Sequence, residues 1–196
     1  MKRAAVTTFF ALLVFAPAAA LAHPGHDGAG GLVHGFVHPV TGIDHVLAMI
    51  AVGVLAAQYG GRALWLVPMS FLVAMAAAGV VGMAGIVIPV AEVGIGVSVV
   101  VLGLAIAFQL RPPTSVAMAV VGFFALFHGY AHGAELPVGM TGLSFALGFL
   151  LATALLHTTG VGLGLLLQQR TSSRRLIQAG GGAMALVGIA VLASIF

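Results

Sequence analysis

Long apolar runs separated by short polar breaks are the feature that most constrains the fold of this chain. Of its 196 residues, 61% are hydrophobic and only 6% are charged, whereas soluble domains carry about 25% charged residues. Because so few charges cannot keep a compact body of this size in water, the runs predict helices of roughly 20 residues that cross a lipid bilayer. The predicted fold is therefore an all-α membrane protein, a bundle of six transmembrane helices.

The breaks between the runs set the expected bounds of these helices. Glycine, proline and arginine clusters interrupt the apolar pattern at each break. The predicted spans are 39–59, 63–83, 86–109, 115–132, 141–167 and 176–196.

The N-terminus has the three parts of a secretory signal peptide. Lys2 and Arg3 precede an apolar stretch, and Ala20-Leu21-Ala22 is a small-x-small cleavage site. We therefore expect residues 1–22 to be removed, which leaves 23–196 as a single six-helix domain with a short, His-rich periplasmic segment at 23–38. Such a signal places the new N-terminus outside, and six spans return the C-terminus to the same side.

The distribution of basic residues agrees with this direction. Of the seven Lys and Arg residues, two lie in the signal peptide, and the other five fall in the predicted inner loops, as the positive-inside rule requires. They are Arg62, Arg111, Arg170, Arg174 and Arg175. Since orientation explains these charges, the basic pI does not predict a nucleic-acid partner.

The absence of cysteine restricts the available chemistry. It excludes disulfides, thiolate metal ligands and cysteine nucleophiles. Lys2 is the one lysine, so the mature domain cannot form a lysine Schiff base, which excludes a retinal-type pigment. We expect no prosthetic group. A metal site would use imidazole, carboxylate, thioether, amide or backbone groups. A mixed nitrogen and oxygen set without thiolate fits Ni²⁺, Co²⁺ or Zn²⁺ better than Cu(I).

Ionisable residues within spans are costly and tend to be functional. The predicted topology brings most of them to the outer level of the membrane. The main candidate ligands are His38, Asp44, His45, His128, His132 and Glu135. Further candidates are His23, His26, His34, Met49, Glu92 and His157. The alternatives are a helix-to-helix hydrogen bond for His157, packing for Met49, and a structural or proton-coupling carboxyl for Glu92. For His23 and His26 the alternative is a disordered tail with incidental affinity.

Spacing along the helices refines these candidates. His128 and His132 lie one turn apart on one helix face, about 6 Å apart in rise, so the pair can chelate one ion. His38 and His45 share a face but differ by about 10 Å in rise on a regular helix, which favours two successive ion positions along a path. Asp44 is expected either to bind the ion or to orient an imidazole. Whether spans one and four form one site or two is left open.

Two long motifs resemble the signatures of the HupE/UreJ nickel permeases. The motifs are His38-Pro39-x-x-Gly42-x-Asp44-His45-x-x-x-Met49-x-x-Val52-Gly53 and Phe127-His128-Gly129-x-Ala131-His132-Gly133-x-Glu135. The resemblance implies a permease of the bacterial cytoplasmic (inner) membrane, not an enzyme, that carries Ni²⁺ or Co²⁺ into the cell and supplies hydrogenase or urease maturation. It also implies that the histidines and carboxylates of both motifs are needed for transport.

Two other classes stay open on the residues alone. A His, Asp and Glu site can activate water, so an intramembrane metal-dependent hydrolase is one alternative. A metal sensor or buffer that binds without conducting is the other. The sequence contains no nucleotide-binding motif, so we expect transport without ATP hydrolysis by this chain.

Overall fold

The computed structural model describes residues 27–137, 139–168 and 173–196, and these ranges contain seven helices and no strand. The helices are α1 (Asp27–Thr41), α2 (Ile43–Tyr59), α3 (Ala63–Met83), α4 (Ala91–Ala107), α5 (Thr114–Ala134), α6 (Gly142–Gln168) and α7 (Ser173–Ile195). The predicted signal peptide, His23 and His26 lie outside the described residues.

Most of these helices have the length and composition of membrane spans. Four of them, α3, α5, α6 and α7, are long and apolar enough to cross a bilayer, and α1 and α2 pass the same test together as a bent pair. Helix α4 is apolar but shorter, with 17 residues. The described residues are therefore all-helical, and several of their helices could cross a bilayer, in agreement with the predicted class.

The predicted first span, 39–59, is wrong as a single regular helix. Pro39 lies in the last turn of α1 and not in the first turn of the span. Gly42 then has an extended backbone (φ −88°, ψ 116°), and α1 and α2 meet at an angle of 83°. Proline withholds a backbone donor, and one extended residue ends the helical ladder. The described part of the expected His-rich segment is thus helical.

The predicted third span, 86–109, is also too long. Helix α4 begins only at Ala91 and ends at Ala107. Gly85 has a positive φ of 73°, which ends the preceding helical conformation. Pro89 then disfavours a helical conformation at the residue before it. Helix α3 matches its predicted bounds, and α5, α6 and α7 lie within three residues of theirs.

Glycines set how closely the helices pack around the ionisable residues. A Cβ atom on Gly129 or Gly133 of α5 would collide with the α3 backbone at Met75 and Gly79. Helix α5 is continuous through both glycines, so they do not interrupt it. They allow close helix contact instead, which positions His128 and His132 beside the neighbouring helices.

Helix α6 contacts both arms of the bent pair. Gly148 lies against the α1 backbone at Leu32, and Gly160 lies against α2 at Ile50. These contacts hold α1 and α2 on either side of the bend at Gly42. As a result His38 at the end of α1 and His45 at the start of α2 both face the end of α5.

Candidate metal centre

Three imidazoles converge inside the bundle, and we call His45, His128 and His132 the buried histidine group. The His45 Nδ1 atom lies 3.3 Å from His128 Nδ1 and 3.1 Å from His132 Nε2. His45 and His128 have no exposed surface. One nitrogen of each residue lies within 4.8 Å of the others, so the three could act together as ligands for one ion.

A second set of ligand atoms, the outer mixed group, consists of His38, His132 and Glu135. The Glu135 Oε2 atom lies 2.9 Å from His38 Nε2 and 3.1 Å from His132 Nδ1. The two imidazoles approach each other at 3.0 Å. The hydrogen bond from His132 lowers the pKa of Glu135 to about 2. Glu135 is therefore a carboxylate at neutral pH, ready to attract a cation.

His132 belongs to both groups, through opposite edges of its ring. Its Nε2 atom faces the buried histidine group, and its Nδ1 atom faces the outer mixed group. A neutral imidazole has one lone pair and one N–H, so it can donate to an ion on only one side at a time. The helices of the predicted first and fourth spans thus bring their candidate ligands into one continuous cluster with two adjacent candidate positions for an ion.

The bend between α1 and α2 is what unites the centre. On a straight helix His38 would stand well above His45, but the 83° turn brings its ring beside His132, with ring centroids 5.0 Å apart. Asp44, in the first turn of α2, accepts a hydrogen bond from the His45 backbone N–H at 2.7 Å. Its position is thus beside the centre, outside both groups.

A cavity of about 750 Å³ lies next to the outer mixed group, and it is lined by His38, His132, Asp44, Glu92 and Glu135 among others. Three of the four acidic residues of the chain therefore face one cavity. Carboxylates gathered in a cleft raise the local concentration of cations. The cavity is suited to collect a hydrated divalent ion at the mouth of the centre.

The remaining sequence candidates lie around the two groups and not in them. His34 is exposed on α1, with its ring centroid 6.0 Å from that of His38. Met49 is fully buried in the core one turn beyond His45. Glu92 is exposed at the start of α4 and faces the cavity. None of these three belongs to the candidate ligand groups found among the described residues.

His157 lies further along the core. The centroid of the Phe71 ring lies 5.7 Å from that of the His128 ring and 5.3 Å from that of the His157 ring. His157 is 2% exposed, and neither of its ring nitrogens has a hydrogen-bond partner among the described residues. A buried imidazole without a partner is costly, which distinguishes His157 from a histidine that merely joins two helices by a hydrogen bond.

Two hydroxyl residues beside the centre were missed by the sequence reasoning. Ser98 Oγ lies 2.9 Å from His128 Nε2, and Thr153 Oγ1 lies 3.5 Å from His45 Nε2. Both residues are fully buried. Serine and threonine within spans commonly bond to their own helix, as Ser70, Thr158 and Thr159 do here. The sequence offers no signal that separates hydroxyl residues beside the candidate centre from those that bond only to their own helix.

Comparisons with known proteins place the chain in a family. The family model described as HupE / UreJ protein matches residues 11–191. The protein named Protein HupE from Rhizobium leguminosarum bv. viciae is 44% identical over 192 residues, which cover 98% of this chain and 99% of that protein. No solved structure matches the chain. With a match over nearly its whole length on both comparisons, the chain belongs to the HupE/UreJ family.

Proposed function

We propose that this protein is a secondary permease that carries Ni²⁺ into the cell across the bacterial cytoplasmic membrane. The observation that carries the proposal is the shared imidazole of His132, which joins an open, mixed N/O group to a buried, all-nitrogen group. Two adjacent positions of different polarity suit an ion that must enter, lose water and move on. Conduction requires several sites of moderate strength more than one closed cage.

Family membership supports a transporter. The HupE/UreJ family is one of metal transporters and not a class of enzymes. This counts against the hydrolase reading of the histidine and carboxylate groups. The supply of nickel to hydrogenase or urease maturation is part of the proposal and follows from the family resemblance alone.

The proposed topology has six spans, with both ends of the mature chain in the periplasm. The four long helices, the bent pair and α4 add up to this number if each forms one span. Arg62 follows the end of α2 and Arg111 follows the end of α4, whereas His45 and Glu92 lie near the opposite ends of the same helices. The arginines therefore mark the inner side, and the metal centre opens outward.

The proposed route follows the polar groups inward. The cavity collects the hydrated ion, and Glu135 with His38 and His132 replaces part of its water. The ion then passes across the His132 ring to the buried histidine group. Beyond Phe71 lies His157, whose ring nitrogens have no hydrogen-bond partner in the described part of the chain and offer the next ligand atom. The signal-peptide-proximal His23 and His26, and His34, are proposed to attract the ion before it enters.

The donor set supports the choice of ion. Imidazole with a single carboxylate suits Ni²⁺, Co²⁺ and Zn²⁺, and harder ions prefer all-oxygen sites. We propose Ni²⁺ as the principal substrate, with Co²⁺ as the next. In a competition experiment, both ions should displace radioactive nickel more effectively than Mg²⁺ does.

Uptake of radioactive nickel into proteoliposomes tests the function. We expect saturable uptake by the intact protein and its loss in His45→Ala and in His128→Ala, because both remove a ligand from the buried histidine group. Ser70→Ala is the matched control, since Ser70 lies in helix α3 and, among the described residues, its hydroxyl bonds only to the α3 backbone at Val67. Folded protein that binds nickel but gives no uptake would contradict the permease and favour a sensor or buffer.

A further inference from the structure

Ser98 occupies an unusual position for a serine in an apolar helix. Its Oγ atom lies 2.6 Å from the backbone carbonyl oxygen of Ile95 and 2.9 Å from Nε2 of His128. The residue has no exposed surface, and α4 presents it directly to the buried histidine group. One hydroxyl thus contacts both its own helix and a candidate metal ligand.

The direction of these two hydrogen bonds follows from their partners. A carbonyl oxygen can only accept, so the single hydroxyl proton of Ser98 is donated to Ile95. The Ser98 oxygen is then left to accept, and the proton of the second bond comes from His128 Nε2. A neutral imidazole with Nε2–H carries its lone pair on Nδ1. That atom faces His45 Nδ1 at 3.3 Å, inside the buried histidine group.

We propose that Ser98 is a positioning residue that fixes the tautomer and ring orientation of His128, so that Nδ1 binds the transported ion. The inference rests on the proposed function for the identity of its ligand. In the other tautomer an N–H would point into the group, and His128 could not bind a cation. Polar partners behind metal-binding imidazoles act in this way in many metal sites.

Thr153 lies beside His45 at a longer distance, and among the described residues no bond to its own helix fixes the direction of its hydroxyl. Its hydroxyl lies 3.5 Å from His45 Nε2, and the His45 Nδ1 atom faces the other two imidazoles. Because hydrogen bonds weaken steeply near this distance, Thr153 should restrain its imidazole less than Ser98 does. Removal of the Ser98 hydroxyl should therefore reduce nickel affinity more than removal of the Thr153 hydroxyl.

Nickel affinity of the purified, full-length protein in detergent tests the proposal. We expect Ser98→Ala to weaken Ni²⁺ binding about 10-fold, the lower end of the effect of removing such partners, and Thr153→Val to weaken it less. Ser98→Thr keeps the hydroxyl and should retain the affinity. Ser70→Ala removes an equivalent serine-to-backbone bond without an imidazole neighbour, so it should bind nickel as the intact protein does.

Ring ¹⁵N spectra of histidine-labelled, metal-free protein give a second readout that a merely structural serine would not change. We expect His128 to carry its proton on Nε2 in the intact protein and to populate both tautomers in Ser98→Ala. A proton on Nδ1 in the intact protein, or equal nickel affinity in Ser98→Ala and Ser70→Ala, would overturn the proposal. Neither measurement uses transport, so failure of the permease function alone would leave this inference standing.

Discussion

The two candidate ligand groups differ in their burial and in the types of ligand atom that they offer. The outer mixed group has two imidazoles and a carboxylate that is 55% exposed, whereas the buried histidine group has imidazoles alone, two of them without exposed surface. A charged, wet position can capture a hydrated ion at low desolvation cost. A dry, neutral position binds it only after water is lost. In the proposed permease, capture and dehydration of the ion are divided between these two neighbouring positions.

The largest effect is expected from removing the residue that both groups share. His132→Ala deletes Nε2 from one group and Nδ1 from the other. We expect uptake of radioactive nickel to fall by more than the roughly 100-fold that can follow loss of a ligand's supporting partner. Thr158→Ala, at an exposed residue whose hydroxyl bonds to its own helix at Ala154, is the control and should keep most of the uptake. Equal losses in the two variants would mean that the centre is not the path.

The number of Ni²⁺ ions bound per chain tests whether the two groups bind independently. Because the His132 imidazole can donate one lone pair, the two positions should not both be filled with full ligand sets. Isothermal titration of the detergent-solubilised protein should give one tightly bound Ni²⁺ per chain. Two equally tight ions per chain would show that the positions are independent.

A third variant separates capture from dehydration. Glu135→Gln keeps the shape of the side chain and removes its charge from the outer mixed group only. We expect the nickel concentration for half-maximal uptake to rise about 10-fold, equivalent to about 1.4 kcal/mol, with little change in the maximal rate. A fall in the maximal rate at unchanged half-saturation would place Glu135 in a later step.

The smallest effect is expected at the rim of the cavity. Glu92 faces the cavity but belongs to neither group, so Glu92→Gln should reduce initial uptake only about 2- to 3-fold through weaker attraction of the cation. Raising the ionic strength should abolish the difference from the intact protein, because salt screens exposed charges. A loss that persists at high salt would instead indicate direct contact between Glu92 and the ion.

The membrane class, and most of the candidate ligands that the structure brings together, could be predicted from the sequence. Burial of apolar runs and the cost of ionisable groups in lipid are strong, local signals, so His45, His128, His132 and Glu135 stand out from their neighbours. The helical spacing of His128 and His132 also survived in the structure, because α5 is regular. By contrast, Ser98 and Thr153 could not be identified, since their role depends on which helix faces them.

The sequence by itself determined that this chain is a helical membrane protein with a thiolate-free, imidazole-rich candidate site. Hydropathy and residue type are properties of each segment and do not depend on which other segment packs against it. Only the tertiary structure decided how that site is assembled. The bend at Gly42 and the close approach of α5 to α3 place His38, His45 and His132 within hydrogen-bonding distance along a single chain of imidazoles. The sequence pattern of a helix predicts the rise between two residues and the face they share, but only along a straight helix axis. The contact between His38 and His132, which are 94 positions apart, depends on where the chain bends and on which helices pack against each other.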